Sequence, residues 1–186
     1  QCDSCDRILG LATSRAIVLV VPAFSMAEPH QAIDLKERAR NRLSNDLQNQ
    51  VRELGRSKQY HGVQDDFSAL ASVLTRSAAQ ERDGLQRVTA GLLNAAEVIS
   101  LDRQILTAAA DLQNTFRMSG QDAIVLASVL QHLQETTPAE SCFLSRNSKD
   151  FDEPGVRDQL ERLGCRYFAD FDKAFQYIAS RVGPQA

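Results

Sequence analysis

The sequence predicts an α/β protein, a three-layer sandwich with a mainly parallel sheet and a long helical insertion. Three observations carry that expectation. The run "AIVLVVP" at 16–22 is continuously apolar and rich in β-branched residues, as a strand buried on both faces of a parallel sheet should be. Two further short apolar runs, "CFLS" at 142–145 and "CRYFA" at 165–169, alternate with helical patterns. The chain has 186 residues and is 43% apolar and 24% charged, enough for one domain, 1–186, with a real core.

Taken in order, residues 3–13 read as a helix, with Ile8, Leu9 and Ala12 at helical spacing. The strand at 16–22 follows. A long helical region runs from about Ser25 to Phe116, broken near "QYHGVQDD" at 59–66 and near Asp83-Gly84. Its first part carries an apolar stripe of Leu43, Leu47, Val51 and Leu54, and its later part another of Leu85, Val88, Leu92 and Leu93. Ser119 caps the next helix, which runs to about Leu133. The strand at 142–145 leads into "RNSKDFDEPG". A helix with Val156, Leu160 and Leu163 on one stripe stops at Gly164, where glycine can adopt the left-handed conformation. After the strand at 165–169, Asp170 caps a last helix that turns Phe171, Ala174, Phe175 and Ile178 inward.

A net charge of −3 leaves no global basic footprint for nucleic acid, so any such binding rests on local patches. The longest apolar run, at 16–24, is too short to span a bilayer, and the expected setting is soluble and cytoplasmic, with no membrane partner. Cys2 and Cys5 form a CxxC, but Asp3 and Asp6 surround it and no second CxxC or nearby histidine completes a zinc site, so helical spacing is the plainer reading. Cys142 and Cys165 read as small buried hydrophobes. His30, His61 and His132 share no ligand spacing.

Ligands of parallel α/β sheets bind outside the carboxyl ends of the strands. Glu28 follows the first strand, Asn147 and Asp150 follow "CFLS", and Asp122 opens the helix leading toward "CFLS". Each has a bland explanation. Ser25 and Glu28 form an S-x-x-E capping box, crowded by Pro29. Asp122 sits at the third helical position behind Ser119, where a carboxylate suits the helix dipole. Asp150 fits a solvated loop, and Asn147 a turn. Three anions at one rim would repel unless hydrogen bonds or a cation compensate them. Carboxylates with few histidines suit Mg²⁺ or Mn²⁺, ions associated with phosphate and phosphodiester chemistry.

At these residues the sequence resembles a known family. "VVPAFSMAE", "SGQDAIVLASVL" and "CFLSRNSKDF", in that order, are similar to the PIN-domain ribonucleases, as is the closing "LERLGCRYFADFDKAFQYI". The similarity covers residues 1–29 and about 115–180. It implies a metal-dependent endoribonuclease that cleaves RNA phosphodiester bonds, often the toxin of a toxin–antitoxin pair. Glu28 and Asp122 match the second and third acidic positions. Ser145, Asn147 and Asp150 match the segment supplying a hydroxyl, a polar residue and the last acidic ligand; whether Asn147 or Asp150 lies nearer the metal stays open. Ser145, Arg146 and Lys149 are the candidates for binding substrate. The resemblance also implies a first strand ending in a metal-binding Asp before residue 3, and a further strand upstream of Gln1, or one from a neighbouring chain, is expected beside 16–22. Rearranged pairing within this chain is a third way.

The helical insertion, about 35–116, departs from a compact family member. Between residues 34 and 60 it holds Lys36, Arg38, Arg40, Arg42, Arg52, Arg56 and Lys58 against Asp34, Glu37, Asp46 and Glu53. A solvated face explains this excess; a basic arm for an RNA backbone, or a homodimer or antitoxin surface, are the sharper readings. The function classes are therefore an RNA-cleaving enzyme, a catalytically impaired RNA-binding relative, and a helical protein-interaction domain. Cleavage dependent on Mg²⁺ or Mn²⁺ and abolished by EDTA separates the first from the others.

Overall fold

A computed structural model describes residues 2–56 and 63–183. Of the described residues, 75% are helical. The elements are α1 (Cys2–Thr13), β1 (Leu19–Pro22), α2 (Ala23–Leu54), α3 (Val63–Ala95), β2 (Ala96–Ile99), α4 (Arg103–Phe116), α5 (Gly120–Thr136), β3 (Ser141–Leu144), α6 (Ser148–Phe151), α7 (Pro154–Arg162), β4 (Cys165–Phe168) and α8 (Phe171–Val182). They form two compact units. The first joins the chain up to Ser25 with everything from Gly91 onward, and the second is Met26–Ala90.

The expected three-layer sandwich is not found. Among the described residues the strands make two separate two-stranded sheets, β1 parallel to β2 and β3 parallel to β4. "AIVLVVP" and "CFLS" do not pair with each other. Parallel pairing was legible in the apolar runs, but each ordered strand is only four residues long. Leu19, Val20 and Val21 are half-buried, and Val18 is 72% exposed, so the run is not covered on both faces.

Three further expectations need correction. The partner of β1 is β2, with Leu19 opposite Ala96 and Pro22 opposite Ile99, in a stretch expected to be helical. The β2 sequence "AEVI" continues the alanine-rich end of α3, and its pairing is a long-range contact that local pattern does not reveal. Secondly, α3 runs unbroken through Asp83-Gly84, because one interior glycine weakens a helix by about 1 kcal/mol and does not end it. Thirdly, α2 begins directly after β1, so Ser25 lies inside it and the Ser25–Glu28 capping box is not formed. Pro29 is also inside α2 and leaves the Ser25 carbonyl without its usual donor four residues on. The break expected at 59–66 falls largely outside the described residues, as do Lys58 and His61.

The core of the first unit is one cluster built where α4 and α5 pack together and α6, α7 and β4 close around them. Ile105, Ala109, Ala123, Leu126, Phe143, Phe151, Val156 and Leu160 are among its buried members. Local chemistry bounds several of these helices. Asp102 caps α4 by accepting from the Ile105 N–H at 2.8 Å. Glu153 caps α7 ahead of Pro154, and Gly164 at φ +69° allows the turn from α7 into β4. Asp170 caps α8 by accepting from the Asp172 and Lys173 N–H groups at 2.9 and 3.1 Å, and these bonds hold its carboxyl below the usual carboxylate range. On α8, Ala174 and Ile178 are buried, whereas Phe171 and Phe175 are half-buried. Cys165 is buried and Cys142 half-buried, and burial pushes the Cys142 thiol up to about 11.

The second unit is a helical hairpin. On α2, Ile33, Glu37, Arg40, Ser44, Leu47 and Val51 are withdrawn from solvent at alternating spacings of four and three. On α3 the same holds for Ala71, Leu74, Ala78, Glu81 and Leu85. That is the spacing of a heptad seam. Arg40 pairs with Glu81 at 2.6 Å, and Arg82 pairs with Asp34 at 3.1 Å and with Glu37. The predicted stripes are corrected accordingly. Leu47 and Val51 belong to the seam, but Leu43, Leu54, Val88 and Leu93 are 41–57% exposed. Polar residues at seam positions (Glu37, Arg40, Ser44, Glu81) concealed its true phase.

Candidate functional site

The helix α5 is greasy, with Ala123, Leu126, Ala127 and Leu133 buried, and its N-terminus is where polar chemistry gathers. The Ser119 hydroxyl accepts from the Asp122 N–H at 3.1 Å as a cap and donates to Asp122 Oδ2 at 2.6 Å. Asp122 is thereby fixed in the first turn, where free N–H groups favour an anion.

A second segment meets it. The turn after β3 opens α6, and Asn147 is the residue before that helix. The Asn147 side chain makes no capping hydrogen bond. Its Nδ2 donates instead to Asp122 Oδ1 and to Asp150 Oδ2, each at 2.9 Å. The two carboxylate oxygens therefore lie no farther apart than twice that distance. Neither Asp122 nor Asp150 is in an ion pair among the described residues. Neutral donors alone compensate the two charges there.

The turn itself is tied down from β4. The Ser145 N–H donates to the Phe168 carbonyl at 3.2 Å, and the Tyr167 hydroxyl donates to the Ser145 carbonyl at 2.9 Å. Ser145 Oγ accepts from the Asn147 N–H at 3.2 Å. Beneath the turn, the buried Phe151 ring stands edge-on to Phe143, with centroids 5.0 Å apart. Tyr167 is buried, and that burial raises its hydroxyl above the ordinary value.

The sequence-derived candidates thus fall into groups. Asp122, Asn147 and Asp150 share one hydrogen-bonded cluster, and Ser145 supports its backbone. Arg146 is exposed in the same turn, and Lys149 is exposed on α6. Glu28 belongs to the helical unit, where it is exposed on α2. Among the described residues no three His, Cys, Asp or Glu side chains gather as a metal group. The two carboxylates offer oxygens of the kind that suit a hard cation retaining several waters, while Asn147 turns its amide nitrogen toward both of them. Two contributors escaped sequence reasoning. Ser119 was legible as a cap but not as a donor to the carboxylate it caps. Tyr167 gave one signal, since a tyrosine on an inward strand position needs a partner for its hydroxyl.

No family model, no curated protein and no solved structure matches this chain. Among the described residues no helix is long and apolar enough to cross a membrane.

Proposed function

We propose that the chain holds Mg²⁺ or Mn²⁺ at Asp122 and Asp150 and hydrolyses RNA phosphodiester bonds at that place. The observation that supports this reading is the approach of two carboxylates around one amide, with neither carboxylate in an ion pair among the described residues. Two carboxylates this close repel unless hydrogen bonds or a cation compensate them, and hard divalent ions are commonly held by one or two carboxylates plus waters and phosphate oxygens. A bound ion would supply an activated water and stabilise charge on the phosphate oxygens. The chain's own part is positional. Ser119 and Asn147 keep the two carboxylates aimed together, and the exposed Arg146 and Lys149 add positive charge in the turn and on α6 for a phosphate. The order of motifs that resembles the PIN-domain ribonucleases supports the same reaction class.

The test is Mn²⁺ binding by calorimetry together with cleavage of a labelled RNA. Cleavage should require Mg²⁺ or Mn²⁺ and stop with EDTA. Asp122→Asn should leave the thermal melt near that of the parent while lowering cleavage by a factor of about 100 or more. Cleavage that survives EDTA, or full activity in that variant, would overturn the proposal.

A further inference from the structure

The hairpin's seam defines what the opposite face of α2 presents. Arg38, Arg42, Asn45, Asn49 and Arg52 follow one another at spacings of four, three, four and three, on the side of the helix away from the seam, and all are exposed. Arg56 stands in the turn just after the helix and is exposed as well. From Arg38 to Arg52 the stripe runs about 21 Å at 1.5 Å per residue. None of these four arginines is in an ion pair among the described residues, whereas Asp34, Glu37 and Glu81 are engaged by Arg82 and Arg40. Asp46 and Glu53 flank the stripe, four residues beyond Arg42 and Asn49, and neither is in an ion pair among the described residues. An acidic protein therefore carries, among the described residues, four guanidinium groups without an ion pair, two before and two after Asn45 and Asn49.

We infer that this face of α2 binds the phosphodiester backbone of a single-stranded RNA. Arginines one helical turn apart stand about 6 Å from each other along the axis, a spacing an extended strand can follow phosphate by phosphate. The guanidinium fork matches phosphate oxygens in pairs. Asn45 and Asn49, between the two arginine pairs, offer donors and acceptors to sugar hydroxyls and base edges. A lipid surface would require a continuous apolar face beside the arginines. The exposed leucines of this helix, Leu35, Leu43 and Leu54, are too scattered to make one. The inference stands on the hairpin alone and does not need the acidic cluster to cleave anything.

The full chain is titrated into a labelled RNA strand of about 20 nucleotides, in EDTA, across about 50–200 mM KCl, with fluorescence anisotropy as the readout. The variant Arg38→Gln/Arg42→Gln/Arg52→Gln/Arg56→Gln should raise Kd at least tenfold near 100 mM salt. It should also flatten the slope of log K against log salt by nearly three, at about 0.7 per lost phosphate contact. Its thermal melt should match the parent's, because the replaced groups are exposed and unpaired. Lysine at the same four positions should keep the salt slope, which guards against a folding artefact. Binding is read in EDTA, where the proposed cleavage cannot run, so a failed cleavage proposal and a failed binding proposal give different results. Equal Kd and slope in the glutamine variant, absence of RNA binding, or arginine-dependent binding to anionic phosphatidylserine vesicles in place of RNA would overturn the inference.

Discussion

The Tyr167 hydroxyl and the Ser145 carbonyl meet at 2.9 Å, a bond from inside the β3–β4 sheet to the turn that carries Asn147 and Asp150. Its donor is buried and its acceptor half-buried, so it cannot be replaced at no cost by bulk water. Tyr167→Phe should therefore lower stability by about 1–2 kcal/mol. It should also weaken Mn²⁺ binding severalfold, because the turn loses the tie that fixes Asn147. Cleavage should fall through a lower kcat more than through KM, as expected of a positioning residue. An unchanged Mn²⁺ affinity alongside the stability loss would assign Tyr167 to the core only.

Asn147 is the hinge of the electrostatic argument, since both protons of one amide are committed to two different carboxylates. Replacing it with aspartate removes the donor and adds a third anion. Mutual repulsion at this range is worth on the order of 1 kcal/mol even with strong screening. Asn147→Asp should melt earlier than the parent in EDTA, and Mn²⁺ should raise its melting temperature more than the parent's. If Mn²⁺ shifts neither protein, the cluster holds no cation.

How much of this was legible in sequence depends on the range of the forces involved. Caps and helix ends are local, and Ser119, Asp170 and Gly164 stand where their chemistry placed them. The strands at 142–145 and 165–169 were legible because turn residues bracket short apolar runs. The arrangement of the sheets was not. Whether β1 joins β3 or β2 is decided by pairing across more than seventy residues, and nothing in "AEVI" distinguishes it from the end of a helix. In the hairpin, periodicity was present but hidden, because Arg40 and Glu81 occupy seam positions where a pattern of apolar residues was sought. At the site, the acidic residues were visible one by one, while the bridging geometry of Asn147 is a tertiary fact.

Packing next to the site gives a steric prediction. A Cβ built on Gly155 would come within 2.6 Å of Phe116 Cε1 and 3.1 Å of Glu153 Oε2. The first distance is far inside van der Waals contact, and the second would disturb the carboxylate that caps α7. Gly155→Ala should thus cost about 1–3 kcal/mol, despite the general preference of helices for alanine over glycine. Adding Phe116→Leu should recover part of the loss by removing the ring atom. A neutral or stabilising Gly155→Ala would show that the ring moves aside freely.

The last prediction concerns the ion pair in the hairpin seam. Arg40 donates to Glu81 at 2.6 Å, while Arg40 Nη1 is buried with no hydrogen-bond partner. The hydrogen bond from Arg40, helped by its charge, holds the Glu81 carboxyl below its ordinary value of 4.5. A carboxyl depressed in the folded state contributes stability above its unfolded value, and that contribution disappears as pH falls through the lower, folded value. Thermal melts from pH 7 downward should accordingly show a decline below about pH 4.5 that is shallower in Glu81→Gln. The pair is imperfectly satisfied, and a charge pair in a seam specifies register more than it stabilises. Glu81→Leu alone should therefore lower the melting temperature, because it leaves the partly buried Arg40 without its ion-pair partner. Arg40→Leu/Glu81→Leu should restore it to the parent's value or above. A double variant that melts below both single variants would show that the pair is a net source of stability and that its register role is secondary.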